Sequence, residues 1–124
     1  EIAARVEPFM AYLVPPELIP AIEASYTDLL ACLDAHLRAH LYALGGRPTV
    51  ADYALIAPLY AHLGRDPVPA MLMKCTAPSV YRWTERMMAC DGDTPEFPQY
   101  PAALPVDDAI PDTLLPVLRL IAAD

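Results

Sequence analysis

Between Leu44 and Tyr53 the chain reads LGGRPTVADY, and this stretch limits the possible folds more than any other. Two adjacent glycines end whatever helix precedes them, because glycine loses the most conformational freedom inside a helix. Thr49 then stands where an N-cap belongs, and Asp52 follows three residues later, which is the spacing of a capping box. The two side chains satisfy amide donors that a helix start otherwise leaves orphaned, and Asp52 adds negative charge at the positive end of the helix dipole. Pro48 and Tyr53 occupy the flanking positions of a hydrophobic staple. Capping accounts for this spacing in full, so Thr49 and Asp52 are read as structural N-cap residues and not as catalytic ones. The cap alone is worth about 1 kcal/mol.

The sequence on either side supports helices. From Ile22 the large apolar residues fall at Tyr26, Leu29, Leu30, Leu33, Leu37, Leu41 and Leu44, at spacings of three and four. They predict one long amphipathic helix that runs as far as Gly45, starting between Pro16 and Ile22. After the capped boundary, Leu55, Ile56, Leu59 and Leu63 continue a second helix in which Pro58 breaks one backbone bond and imposes a bend. A short segment is expected around Met71 to Lys74, and a further helix from Pro78 with Val80, Trp83, Thr84, Met87 and Met88 on one stripe. Five prolines between Asp91 and Pro111 preclude a helix there, whereas Thr113 to Ala123 carries a last apolar stripe of Leu114, Leu115, Leu118 and Ile121. No segment alternates with period two, so the fold class is all-α.

Charge and cysteine content narrow the function classes. Eight basic against sixteen acidic residues give a net charge of -8, which repels nucleic-acid phosphates and anionic lipid. No apolar run reaches the roughly 20 residues needed to cross a bilayer, and EIAARVEPFM lacks the basic start and apolar block of a signal peptide. Cys32, Cys75 and Cys90 are an odd number and widely spaced, which fits neither a zinc knuckle nor a disulfide framework and suits a reducing cytoplasm.

A long helix, a GG turn, a T-x-A-D helix start and further helices resemble the C-terminal all-helical domain of the glutathione S-transferases. The run GRPTVADYALIAPLYAHL carries the resemblance most clearly. RDPVPAMLMKCTAPSVYRWTERM and LPVDDAIPDTLLPVLRL are similar to a bacterial subgroup of transferase-like proteins. The resemblance implies a helical bundle over residues 1–90, of which 1–14 are a remnant of the first helix. A Pro-rich connection over 91–111 and a C-terminal helix over 112–124 packed on the bundle complete it. It further implies that glutathione, the co-substrate, is held by a thioredoxin-like domain that this chain does not contain, and no cofactor is expected here. The chain would then be the half that binds a hydrophobic small molecule, inactive alone, with a thioredoxin-like domain and, by the same resemblance, a second copy as partners. The other reading is a non-catalytic protein-interaction module of the same fold.

By the same resemblance the helix that opens such a domain lines the substrate site, which makes Phe9, Tyr12 and Leu13 substrate-binding candidates. These three fit one helical face, and Met10 falls off it. Tyr60 offers a hydroxyl on the bent helix that orients a substrate group or meets a buried carbonyl. His36 and His40 share a helix face at a metal-compatible spacing, but a third and fourth ligand are missing nearby in sequence, His62 would join only through tertiary structure, and the two read as an exposed pair. Arg65 suits the negative end of the central helix, and Asp66 the start of the next. Asp107, Asp108 and Asp112 lack the spacing of a cation loop.

Overall fold

The computed structural model describes residues 14–89 and 103–123. Among these, five α-helices account for most of the chain, and the only extended pairing is an isolated bridge between Tyr42 and Gly45. A 3-10 turn over Pro16–Leu18 leads into α1 (Ile19–Leu37), with Pro20 in the first turn where its missing amide costs nothing. Helix α2 (Val50–Ile56) runs on into a π-helical segment (Ala57–Leu63). Helices α3 (Pro67–Thr76) and α4 (Pro78–Met88) follow. After two 3-10 turns, Val106–Asp108 and Asp112–Leu114, α5 (Leu115–Ala123) closes the bundle.

Helix α1 is the axis, packing against α3, α4, α5 and the turn that precedes α5. Its buried stripe of Leu30, Leu33 and Leu37 meets Leu59, Met73, Val80, Trp83, Leu114 and Val117 in one core. Trp83 is 1% exposed and is the largest side chain in that core, worth about 3 kcal/mol by apolar burial alone. Ile22, at the other end of the predicted stripe, remains exposed.

The long helix expected to reach Gly45 ends instead at Leu37. Arg38 and His40 make the last helical backbone bonds, to Asp34 and His36, and Tyr42 and Gly45 then bond to each other. The chain leaves the helix because groups from elsewhere take up its polar atoms. The Asp52 carboxylate accepts the Ala43 amide at 2.9 Å, and the Arg86 guanidinium donates to the Leu41 carbonyl at 2.7 Å. Leu41, Tyr42 and Ala43 are consequently buried in succession, a pattern no helix produces. The segment expected to be short, around Met71 to Lys74, is a helix of 10 residues, because Pro67 and Pro69 lie in its first turn and start the helix.

Two buried carboxylates organise these contacts. Asp52, 0% exposed, completes the capping box with Thr49 and accepts four hydrogen bonds. They come from the Thr49 amide and hydroxyl at 2.8 Å each, the Ala43 amide, and the Trp83 indole at 3.1 Å. Asp34, 2% exposed, reaches from α1 to accept the Ser79 amide at 2.7 Å, and so caps α4, whose own N-cap residue Ala77 has no side chain able to do so. The Arg38 partner of Asp34 is mostly exposed, so that ion pair adds little. Pro48 and Tyr53, the staple positions, are both exposed.

Replacing Asp52 with Ala strands the Ala43 and Thr49 amides and the Trp83 indole together. Asp52→Ala is expected to lower stability by roughly 3 kcal/mol, well beyond an ordinary cap. In a thermal melt followed by circular dichroism, a midpoint within about 2 °C of the unmodified chain would refute the assignment.

Candidate functional site

The start of α2 faces the segment that leads into α5, and between them lies an apolar cleft of about 280 Å³. Leu44 and Ala51 form one side, and Leu104, Ile110, Leu114 and Leu118 form most of the other, with no charged residue in the lining. Such a cleft selects for uncharged, apolar matter, because a charge placed there finds no partner for the water it loses. A second hollow of about 460 Å³ shares the Leu104 to Ile110 wall and adds His40, Asp112 and Thr113.

Among the described residues several contacts hold the wall to the bundle. The Gly46 amide donates to the Ala103 carbonyl at 2.8 Å. Gly45 adopts a φ of +114°, and a Cβ built there would lie 2.8 Å from the same carbonyl, so this close approach requires glycine. Leu114 and Val117 plug into the core. A further tie is His36, whose Nδ1 lies 2.8 Å from the Thr113 hydroxyl.

His36 is 0% exposed, which overturns the expectation of an exposed histidine pair. Its ring stacks on His40 at 4.8 Å, and its Nε2 lies 3.3 Å from the Tyr42 carbonyl. A carbonyl only accepts, so Nε2 carries the proton in the neutral ring and Nδ1 accepts from Thr113. Burial lowers the pKa of His36 most, with a lesser push from His40 that Asp52 and the Tyr42 carbonyl oppose, and burial lowers that of His40 too. The sign follows directly. The unfolded ring binds a proton at about pH 6.5 and the folded one at lower pH, so this contribution to stability is complete above about 6.5 and is lost as the pH falls through the depressed value. Among the described residues no group of three or more His, Cys, Asp or Glu could hold a metal ion.

Tyr60 sits in the π-helical segment and belongs to a different, smaller cleft. Its hydroxyl accepts from the Arg65 guanidinium at 3.0 Å, and the same guanidinium lies 4.8 Å from its ring centre. It therefore meets a cation and not a buried carbonyl, and it lines no part of the apolar cleft. Asp66 is the N-cap of α3 by position, although its side chain makes no capping bond. Phe9, Tyr12 and Leu13, together with Met10, lie outside the described residues. Of the cleft residues, Leu114 and Leu118 were visible as a helical stripe. Leu104 and Ile110 were not, since a proline-rich segment carries no periodicity to show which side chains point inward.

What the fold and the cleft define is an all-helical domain built round a central helix with a buried capping box. The family model for the glutathione S-transferase C-terminal domain matches residues 5–91, and the chain belongs to that family. Neither the curated proteins nor the solved structures yield a match.

Gly45→Ala tests the attachment of the wall. Steric conflict with the Ala103 carbonyl and a left-handed backbone together are expected to cost about 2 kcal/mol. Faster amide hydrogen exchange at Gly46 and Leu114 is the expected readout, and unchanged protection at both positions would refute it.

Proposed function

We propose that this domain is the apolar-substrate half of a glutathione S-transferase-like enzyme. Joined to a thioredoxin-like domain that holds glutathione as a thiolate, it would present an apolar electrophile to that sulfur. The observation that carries this reading is the uncharged cleft between the start of α2 and the segment leading into α5, within a chain of the transferase family. The chemistry needs little more from this half, because an apolar electrophile is recognised by shape and dehydration and the reacting thiol is supplied elsewhere. Phe9, Tyr12 and Leu13 are proposed to extend the apolar surface, and Tyr60 to orient a polar substituent at its own cleft. No helix among the described residues is long and apolar enough to cross a membrane. The free thiols of Cys32 and Cys75 suit a reducing cytoplasm, where we place the protein.

A calorimetric titration separates this reading from a docking module. A glutathione conjugate bearing a large apolar group is expected to bind the chain, and free glutathione is not. Ile110, 49% exposed at the cleft, is the residue to change: Ile110→Glu is expected to weaken conjugate binding at least about tenfold while leaving the melting midpoint within about 2 °C. Silence from the conjugate would refute the substrate-binding role and favour a non-catalytic interaction module.

A further inference from the structure

The apolar cleft and the buried His36 share one structural element. The segment that forms the cleft's outer wall, from Leu104 to Leu118, also contributes Thr113, the residue that meets Nδ1 of His36. The 3-10 turn Asp112–Leu114, which carries Thr113, packs on α1. We propose that the cleft is gated by a proton on His36: protonation drives the C-terminal segment off the bundle, and the cleft, losing that wall, releases its apolar ligand. This inference rests on the reading of the cleft as a ligand site and adds to it a means of control.

The physical case begins with what surrounds the ring. From just beyond the end of its own helix comes His40, stacked at 4.8 Å, which on acidification becomes a second positive charge. Asp34, two residues earlier, is already bound to the Ser79 amide and to Arg38. From the turn after α1 comes the Tyr42 carbonyl, and the Tyr42 ring lies under the Arg86 guanidinium, a fixed positive charge that also binds the Leu41 carbonyl. From α2 comes the Asp52 carboxylate, which favours a cation but already accepts four hydrogen bonds. From the C-terminal segment come the Thr113 hydroxyl and, beside it, the exposed Asp112.

The neutral ring is fully satisfied, with Nε2–H donating to Tyr42 and Nδ1 accepting from Thr113. A proton on Nδ1 reverses that second bond and places a full charge in a site that water does not reach. The charge is relieved by hydration, and hydration requires a neighbour to move. Among the described residues the C-terminal segment is tied by the Gly46 to Ala103 backbone bond, by Leu114 and Val117 in the core, and by Thr113, which of the two hydrogen-bond partners of the ring is the one on an exposed residue. Water therefore reaches the charge from the Thr113 side, and the segment that carries Thr113 is the cover that yields.

The test uses the full chain and an uncharged fluorescent probe, N-phenyl-1-naphthylamine, titrated between about pH 8 and about pH 5, on either side of the ordinary histidine range. Affinity is expected to fall at least about fivefold on acidification, and by less than about twofold in His36→Gln, whose amide can reproduce both hydrogen bonds without titrating. An equal loss in the variant and the unmodified chain would overturn the gate while leaving the cleft as a ligand site. No probe binding even at the alkaline end would overturn both. Should His36→Gln fail to fold, the histidine NMR signals of the unmodified chain decide the matter. Linkage requires saturating probe to push the His36 titration further down, and a midpoint unmoved by probe overturns the proposal.

Discussion

Everything in this domain leans on one carboxylate. Asp52 stands at the third position of α2 with no exposure to solvent, and its two oxygens tie together three separate parts of the chain. They hold the start of its own helix through Thr49, the turn after α1 through Ala43, and α4 through the indole of Trp83. A buried anion is costly unless its hydrogen bonds are complete, and here four donors surround it. The arrangement is specific as well as strong, since two of the four donors, the Ala43 amide and the Trp83 indole, come from outside the helix that carries Asp52. The path of residues 38–49, the seat of Trp83 and the position of the α2 N-terminus beside the apolar cleft all follow from it.

Asp34 repeats the device on a smaller scale. A side chain from the middle of α1 supplies the cap that Ala77 cannot, so α4 begins where α1 directs it. Together the two aspartates fix α4 at two points along its length, by Ser79 in its first turn and by Trp83 in the second. The C-terminal segment joins this frame through Leu114, Val117 and Thr113, and the cleft lies along the seam between it and the start of α2.

Local signals in the sequence were read accurately where the interaction is itself local. The capping box at Thr49 and Asp52 and the proline starts of α1 and α4 needed only residues within one or two turns of each other, whereas the stripe expected for α5 was out of phase: Leu118 and Ile121 are exposed and Val117 is buried in their place. The end of α1 was misread because it depends on Asp52 and Arg86, nine and forty-five residues away from the atoms they bind. The spacing of Leu37, Leu41 and Leu44 is helical, yet these side chains enter the core from two different structures. His36 illustrates the same limit: a polar residue on a helix was taken as exposed, and only tertiary contacts with Thr113 and Tyr42 show why it can be buried. Nor could the cleft be found from pattern, because Leu104 and Ile110 belong to a segment without periodicity.

The π-helical stretch that begins at Ala57 has a consequence of its own. Proline at position 58 has no amide to give and no room for the carbonyl four residues back, and the wider turn of a π-helix accommodates it without ending the helix. A wider turn advances each side chain through a smaller angle, so residues beyond Pro58 no longer stand in phase with those before it. Val50 to Ile56 and Leu59 to Leu63 thus present two patterns on what looks, in sequence, like a single helix. Pro58 acts as a phase shifter: it keeps Leu59 directed into the core while turning Tyr60 toward Arg65. Relatives with an unbroken α-helix at this position would share the fold and yet present a different set of side chains at its far end.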